Sequence, residues 1–173
     1  MSERFHSYLK QCGTLQRPHS GRSLYEHLIS TEVILRRWGC AEDTAIAGLF
    51  HSIYGTSAYH RVSLDLHSRD TLAALIGAEA ERLIYLFSAC TRPSGLFGSI
   101  ESGGFVSRLD GQFLKVDEAH LEALFEIECA NLMEQGSRSV FFRMLLDAVE
   151  AGLIDIRHSV MIEISAYAVA AQI

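Results

Sequence analysis

Apolar residues recur at helical spacing along most of the chain. From about Ser23 to Trp38, the residues Leu24, Leu28, Thr31, Leu35 and Trp38 fall on one side of a helix, and Gly39 stops the run. His27 shares that side with Leu24, Leu28 and Thr31. A second helix, about Ala41 to Ile53, is apolar around much of its circumference, as a buried central helix is. Within it, Gly48 predicts close approach of another backbone. Gly55 to His67 is polar and histidine-rich and reads as loop. Ser68 is placed to cap a helix running to Ile76, where Gly77 breaks it, and Glu79 to Cys90 repeats the pattern through Leu83, Ile84, Leu86 and Phe87.

Between Arg92 and Val116 the period changes. Phe105 to Leu109, then Asp110-Gly111, then Gln112 to Val116 predicts a β-hairpin, since Asp-Gly supplies the positive φ angles of a tight turn. Asp117 is placed to cap a helix through Leu121, Leu124, Phe125, Ile127 and Leu132, ending near Gly136. Two further helices, about Ser139 to Ala151 and Asp155 to Ala171, complete the pattern. The expectation is a mainly α fold with a small hairpin insertion near residues 105–116. No internal repeat or linker interrupts it, so residues 1–173 read as one domain, with its core at about 17–135 and C-terminal helices over 137–173.

A length of 173 residues suits one domain with a proper core, and 49% hydrophobic residues with only two prolines argue against disorder. The net charge of −6 comes without any basic stretch, which excludes a general binder of nucleic acid polymers. No apolar run approaches the roughly eighteen residues of a membrane span, and Met1 to His6 has no apolar signal core. Cys12, Cys40, Cys90 and Cys129 are scattered without a CxxC pair, which fits buried thiols in a reducing cytoplasm.

The candidate chemistry lies in two histidines twenty-four residues apart, His27 and His51. Packing their helices together brings two imidazoles to one buried point. Each buried imidazole needs a polar partner, and a shared divalent ion is one. His19, eight residues before His27, is positioned to add a third imidazole, as in three-histidine zinc sites. Ser52 and Tyr54 flank His51 as pocket groups, and Arg17, Arg22, Arg69 and Arg92 are the cations available to a phosphate or carboxylate. Ser52 lacks the Gly-x-Ser-x-Gly setting of a nucleophile. His60, Asp65 and His67 are spaced irregularly in a polar loop, which favours surface exposure over a second ion site. No catalytic residue is identified.

His27, the twenty-four-residue spacing, and Ala47-Gly48-Leu49-Phe50-His51 resemble the HD superfamily of metal-dependent phosphohydrolases, above all the HD domain of stringent-response (p)ppGpp hydrolases. Ser20-Gly21 through Tyr25 resembles that family's nucleotide-binding loop. Ile76-Gly77-Ala78-Glu79-Ala80-Glu81-Arg82-Leu83-Ile84 is similar to the stretch after its His-Asp helix, and Ala130-Asn131 falls where its Ala-Asp pair is expected. Gly48-Leu49-Phe50-His51-Ser52-Ile53-Tyr54-Gly55-Thr56 also resembles a little-characterised HD-like subfamily. The match covers roughly residues 17 to 135 and implies an HD-domain-like helical bundle. It implies a metal held by His27, His51 and the residue at Asn131; His19 joins that set on its position in the chain, not on the resemblance.

This chain departs from the family's pattern at several acidic positions. Ser52 stands where the family has a ligand Asp, Asn131 where it has the final Asp, and Gly55-Thr56 where it has a water-activating Glu-Asp pair. Each change removes negative charge, which disfavours hard ions such as magnesium or manganese and removes the obvious general base. Glu128, one turn before Asn131, offers a carboxylate. The resemblance implies a metalloprotein (zinc, iron or manganese) acting on a small anionic, phosphate-containing metabolite, by hydrolysis or, as in some HD relatives, iron-dependent oxygenation. The alternative is a catalytically silent module binding a small molecule or a protein. A purely structural reading makes the histidines core residues and the C-terminal helices a surface for homo-oligomerisation.

Overall fold

The computed structural model describes residues 2–172. Helix α1 (Ser2–Gln11) leads into a short hairpin, β1 (Pro18–His19) paired antiparallel with β2 (Arg22–Ser23). Then come α2 (Leu24–Arg37), α3 (Glu42–Phe50), α4 (Arg69–Ile76), α5 (Ala78–Ala89) and α6 (Ser94–Ser102). A second hairpin, β3 (Gly104–Val106) with β4 (Phe113–Lys115), precedes α7 (Glu118–Glu134), α8 (Phe141–Glu150) and α9 (His158–Ala171). The fold is mainly α with small β insertions. Among the described residues no helix is long and apolar enough to cross a membrane.

Local chemistry sets most of the helix ends. At the start of α2, Ser23 Oγ accepts from Glu26 N–H at 3.2 Å while Ser23 N–H donates to Glu26 Oε2 at 2.9 Å. This reciprocal box satisfies two backbone donors that a helix start otherwise leaves open. Asp117 does the same work for α7 by accepting from His120 N–H at 2.8 Å. Gly39, with φ +71°, ends the run after Trp38.

Helix α3 is the centre of the domain. Every residue from Thr44 to Phe50 is buried, and the helix packs on α2, α5 and α7. Its close neighbour at Gly48 is a side chain rather than the expected backbone: a Cβ there would stand 2.2 Å from Leu35 Cδ1. The helix also ends three residues early, at Phe50. His51 occupies its C-terminal cap, and bonds from Ile53 N–H to Phe50 O and from Gly55 N–H to Ser52 O close the turn that follows.

Other departures have physical reasons. Ser68 precedes α4 without capping it; Asp65 accepts from His67 N–H instead and starts a 3-10 turn. The Asp110-Gly111 hairpin is real but looser than a two-residue turn. Phe105 pairs with Leu114 and Val106 with Phe113, so residues 108–111 form the loop, closed by Ser107 N–H to Gln112 O at 2.8 Å. Helix α6 has no counterpart in the hydrophobic pattern, because Gly95, Gly98 and three serines are weak helix formers. Packing holds it: Leu96 is buried, and the Phe97 ring sits 5.2 Å from Phe125 and 5.5 Å from Phe141.

Candidate functional site

Helices α2, α3 and α7, packed against one another, carry the site. His27 comes from the first turn of α2 and His51 from the end of α3, and both are fully or almost fully buried, at 0% and 1% exposure. Their Nε2 atoms face each other at 3.2 Å. The hairpin β1–β2 lays His19 over this pair, its ring stacked on His27 at 4.1 Å between centroids and 16° between planes. Asn131 and Glu134 descend from the last turns of α7.

The far nitrogen of each imidazole is committed. His51 Nδ1 lies 2.7 Å from Gly48 O, a carbonyl that only accepts, so Nδ1 carries the proton. His27 Nδ1 lies 2.5 Å from Glu134 Oε2 and donates its proton to that carboxylate. A neutral ring with hydrogen at Nδ1 has a lone pair at Nε2. With both rings in that tautomer, two lone pairs face each other across 3.2 Å, an arrangement that a proton or a metal cation between them stabilises.

Burial disfavours a proton in that role. It pushes His51 down to about 3, against the raising effect of the Gly48 bond, and Arg92 adds to the fall. Burial likewise holds His27 well below its ordinary value, with His51, His19 and Arg22 adding to the effect. Neutral His27 already satisfies Glu134 by donating Nδ1–H, so that bond sets the tautomer without a second ring proton. Asn131 acts in the other direction, raising both imidazoles against the effect of burial.

The spacing also fits a metal. Ligands at about 2.05 Å and angles of about 90–109° put two coordinating nitrogens about 2.9–3.4 Å apart. Among the described residues, however, no three His, Cys, Asp or Glu side chains form a ligating group. Ser52 and Asn131 supply neutral oxygens close by.

Next to the site lies a cavity of about 340 Å³, lined by His19, Ser20, Ser52, Tyr59, Arg92 and Asn131 among others; neither His27 nor His51 lines it. Three of its lining residues carry buried polar atoms with no hydrogen-bond partner: His19 Nδ1, Tyr59 Oη and Arg92 Nε. Unpaired buried polar groups are costly, and the Arg92 Nε–H among them favours a ligand that carries an acceptor. Arg92 is not a surface arginine. It is buried beneath the cavity, ion-paired with Glu128 and stacked on Phe87 at 3.9 Å from the ring centroid. Glu128 is buried too, accepting from Asn131 Nδ2 at 3.0 Å; burial raises its carboxyl, opposed by Arg92 and Asn131.

Of the residues expected at the site, the fold brings together His19, His27, His51, Ser52 and Asn131. Two are directed elsewhere. Tyr54 Oη donates to Glu81 Oε1 at 3.0 Å, within a buried cluster completed by Arg69. Arg22 reaches Glu134 rather than the cavity. His60, Asp65 and His67 are exposed. Glu134 is the residue the sequence pattern did not reveal; its one signal is its position a single turn after Asn131 on the same helix.

Residues 8–92 are similar to a domain of unknown function (DUF6817). That span holds both histidines, the hairpin bearing His19, and Arg92, and stops before α7. No curated protein and no solved structure matches the chain.

Proposed function

We propose that the chain is an HD-like metalloprotein that holds one divalent ion between His27 and His51 and acts on a small anionic metabolite in the neighbouring cavity. The observation that carries this reading is the pair of Nε2 lone pairs facing across 3.2 Å, each fixed by a committed Nδ1. The HD-like part is supported by the placement of His27, His51 and Asn131 on three mutually packed helices, in the order the resemblance implies.

Two nitrogens and neutral oxygens suit zinc or iron better than manganese or magnesium. A bound ion would supply Lewis acidity. The chain's own contribution is binding and orientation. His19, Tyr59 and Arg92 offer unpaired hydrogen bonds, Arg61 adds positive charge at the cavity, and Ser52 and Asn131 offer neutral oxygens there. The two buried carboxylates nearby, Glu128 and Glu134, are already engaged by Arg92 and by His27 with Arg22.

A second reading rests on the same chain of contacts. One shared proton also completes the line from Glu134 through His27 and His51 to Gly48 O, giving a metal-free ligand-binding module. Equilibrium dialysis of chelator-free protein against zinc, followed by thermal denaturation with inorganic phosphate, separates the two. The metalloprotein binds one ion per chain, His27→Ala and His51→Ala abolish uptake, and phosphate stabilises only the loaded form. Absence of uptake with phosphate stabilisation intact sinks the metal reading in favour of the module.

A further inference from the structure

We infer that Glu134 is the positioning residue and counter-charge of the two-histidine site, and that Arg22 sets how much of that charge the site retains. The inference rests on the metal reading above and extends it to two residues that touch neither the ion nor the cavity.

The site has a deficit of negative charge. Ser52 and Asn131 are neutral ligand candidates, and both imidazoles bind a cation as neutral bases. Glu128 is buried close by, but Arg92 neutralises it and Asn131 engages the same Oε2. Glu134 is the remaining buried carboxylate, its side chain 3% exposed, and it accepts the Nδ1 proton of His27 at 2.5 Å. A carboxylate behind a ligating histidine fixes the ring's orientation and raises its basicity, and losing such a group costs about 10–100-fold in metal affinity.

Arg22 works against that effect. Its Nη2 meets the other carboxylate oxygen, Oε1, from a half-exposed position on β2. Its positive charge offsets Glu134 and opposes any cation at the histidines, while the same contact helps to hold the carboxylate in place. If charge dominates, Arg22 and Glu134 have opposite effects on the site. If both serve only to hold the fold, they have the same effect.

Cobalt(II) titration followed by its visible absorption bands tests this on the intact chain, with Glu134→Gln and Arg22→Gln as the variants. Glutamine keeps an oxygen that accepts from His27 Nδ1 but carries no charge. Glu134→Gln is expected to weaken cobalt binding about 10–100-fold, and Arg22→Gln to tighten it several-fold, with metal-free thermal midpoints recording any loss of fold. Long-range nitrogen–proton NMR of the metal-free wild-type chain is expected to show a single His27 tautomer protonated at Nδ1. Wild-type protein that takes up no cobalt overturns the metal reading itself. Wild-type uptake with the affinity unchanged in Glu134→Gln, or with both variants weakened alike, overturns this inference alone, as does a mixed His27 tautomer.

Discussion

Gly48 on α3 leaves the space that Leu35 of α2 fills: a Cβ at Gly48 would stand 2.2 Å from Leu35 Cδ1 and 3.7 Å from Thr31 Cγ2. The contact sets the approach of the two helices that carry His27 and His51, so packing and site geometry are coupled here. Gly48→Ala gains about 1 kcal/mol of helix propensity but must displace a fully buried leucine, which costs about 1–3 kcal/mol. Net destabilisation of about 1 kcal/mol is expected in urea denaturation. Combining it with Leu35→Ala should cost less than the sum of the single changes. Strict additivity would show that the two residues do not meet.

Glu81 anchors a second buried polar cluster. Arg69 donates to it through two bonds of 2.7 and 2.8 Å, and Tyr54 Oη donates at 3.0 Å. Removing the carboxylate strands a phenol and a guanidinium together. Glu81→Ala is expected to cost about 3 kcal/mol, with metal uptake at the histidines unchanged in whatever fraction stays folded. A cost below about 0.5 kcal/mol would mean that water replaces both bonds.

The amide at Asn131 matches its neighbours in the metal-free state. Its Nδ2 donates to Glu128 Oε2 at 3.0 Å, and its Oδ1 accepts from Gln135 Nε2 at 2.9 Å. Asn131→Asp replaces that donor with a second carboxylate beside Glu128. The variant should lose about 1–3 kcal/mol without metal and recover stability on adding manganese, which the restored charge favours. Thermal midpoints with and without manganese check both halves. Equal midpoints for variant and wild type under both conditions would refute this account of the amide.

Metal-free stability should fall in mildly acidic solution. Burial holds His51 at about 3 and lowers His27 as well, whereas unfolded imidazoles take up protons near their ordinary value of 6.5. Below that value the unfolded chain binds more protons than the folded one. Stability is therefore fully present above about pH 6.5 and is lost as the pH falls toward the folded values. Each imidazole changes the folding equilibrium by about tenfold per pH unit in that window. Urea midpoints between pH 7.5 and 5 should decline, and less steeply in His51→Gln. A flat profile would show that the folded rings take up protons at their ordinary value, and a rise toward acid that they are already charged in the folded state.

Much of the frame was legible from local chemistry. Asp117 before an amphipathic run, Gly39 after one, and the apolar circumference of α3 each carry their meaning within a few residues, because caps and helical periodicity are short-range effects. Helix α6 and the β1–β2 hairpin were not legible. Their residues have weak local preferences, and the aromatic rings of α7 and α8 or the surface of α2 supply what those preferences lack. Arg92 and Glu128 read singly as a cation and a carboxylate free for a ligand; the tertiary structure pairs them, and that pairing makes their burial tolerable.

The sequence by itself determined a mainly α domain and placed His27 and His51 where packed helices would join them. It also showed neutral residues, Ser52 and Asn131, at the positions where the HD resemblance implies acidic ones. Tertiary structure alone decided that both Nδ1 atoms are committed, that Tyr54 turns toward Glu81, and that Glu134, 107 residues from His27, stands behind it. Those outcomes depend on distances between helices distant in the chain, and hydrogen-bond direction is set by such distances rather than by any residue's neighbours in sequence.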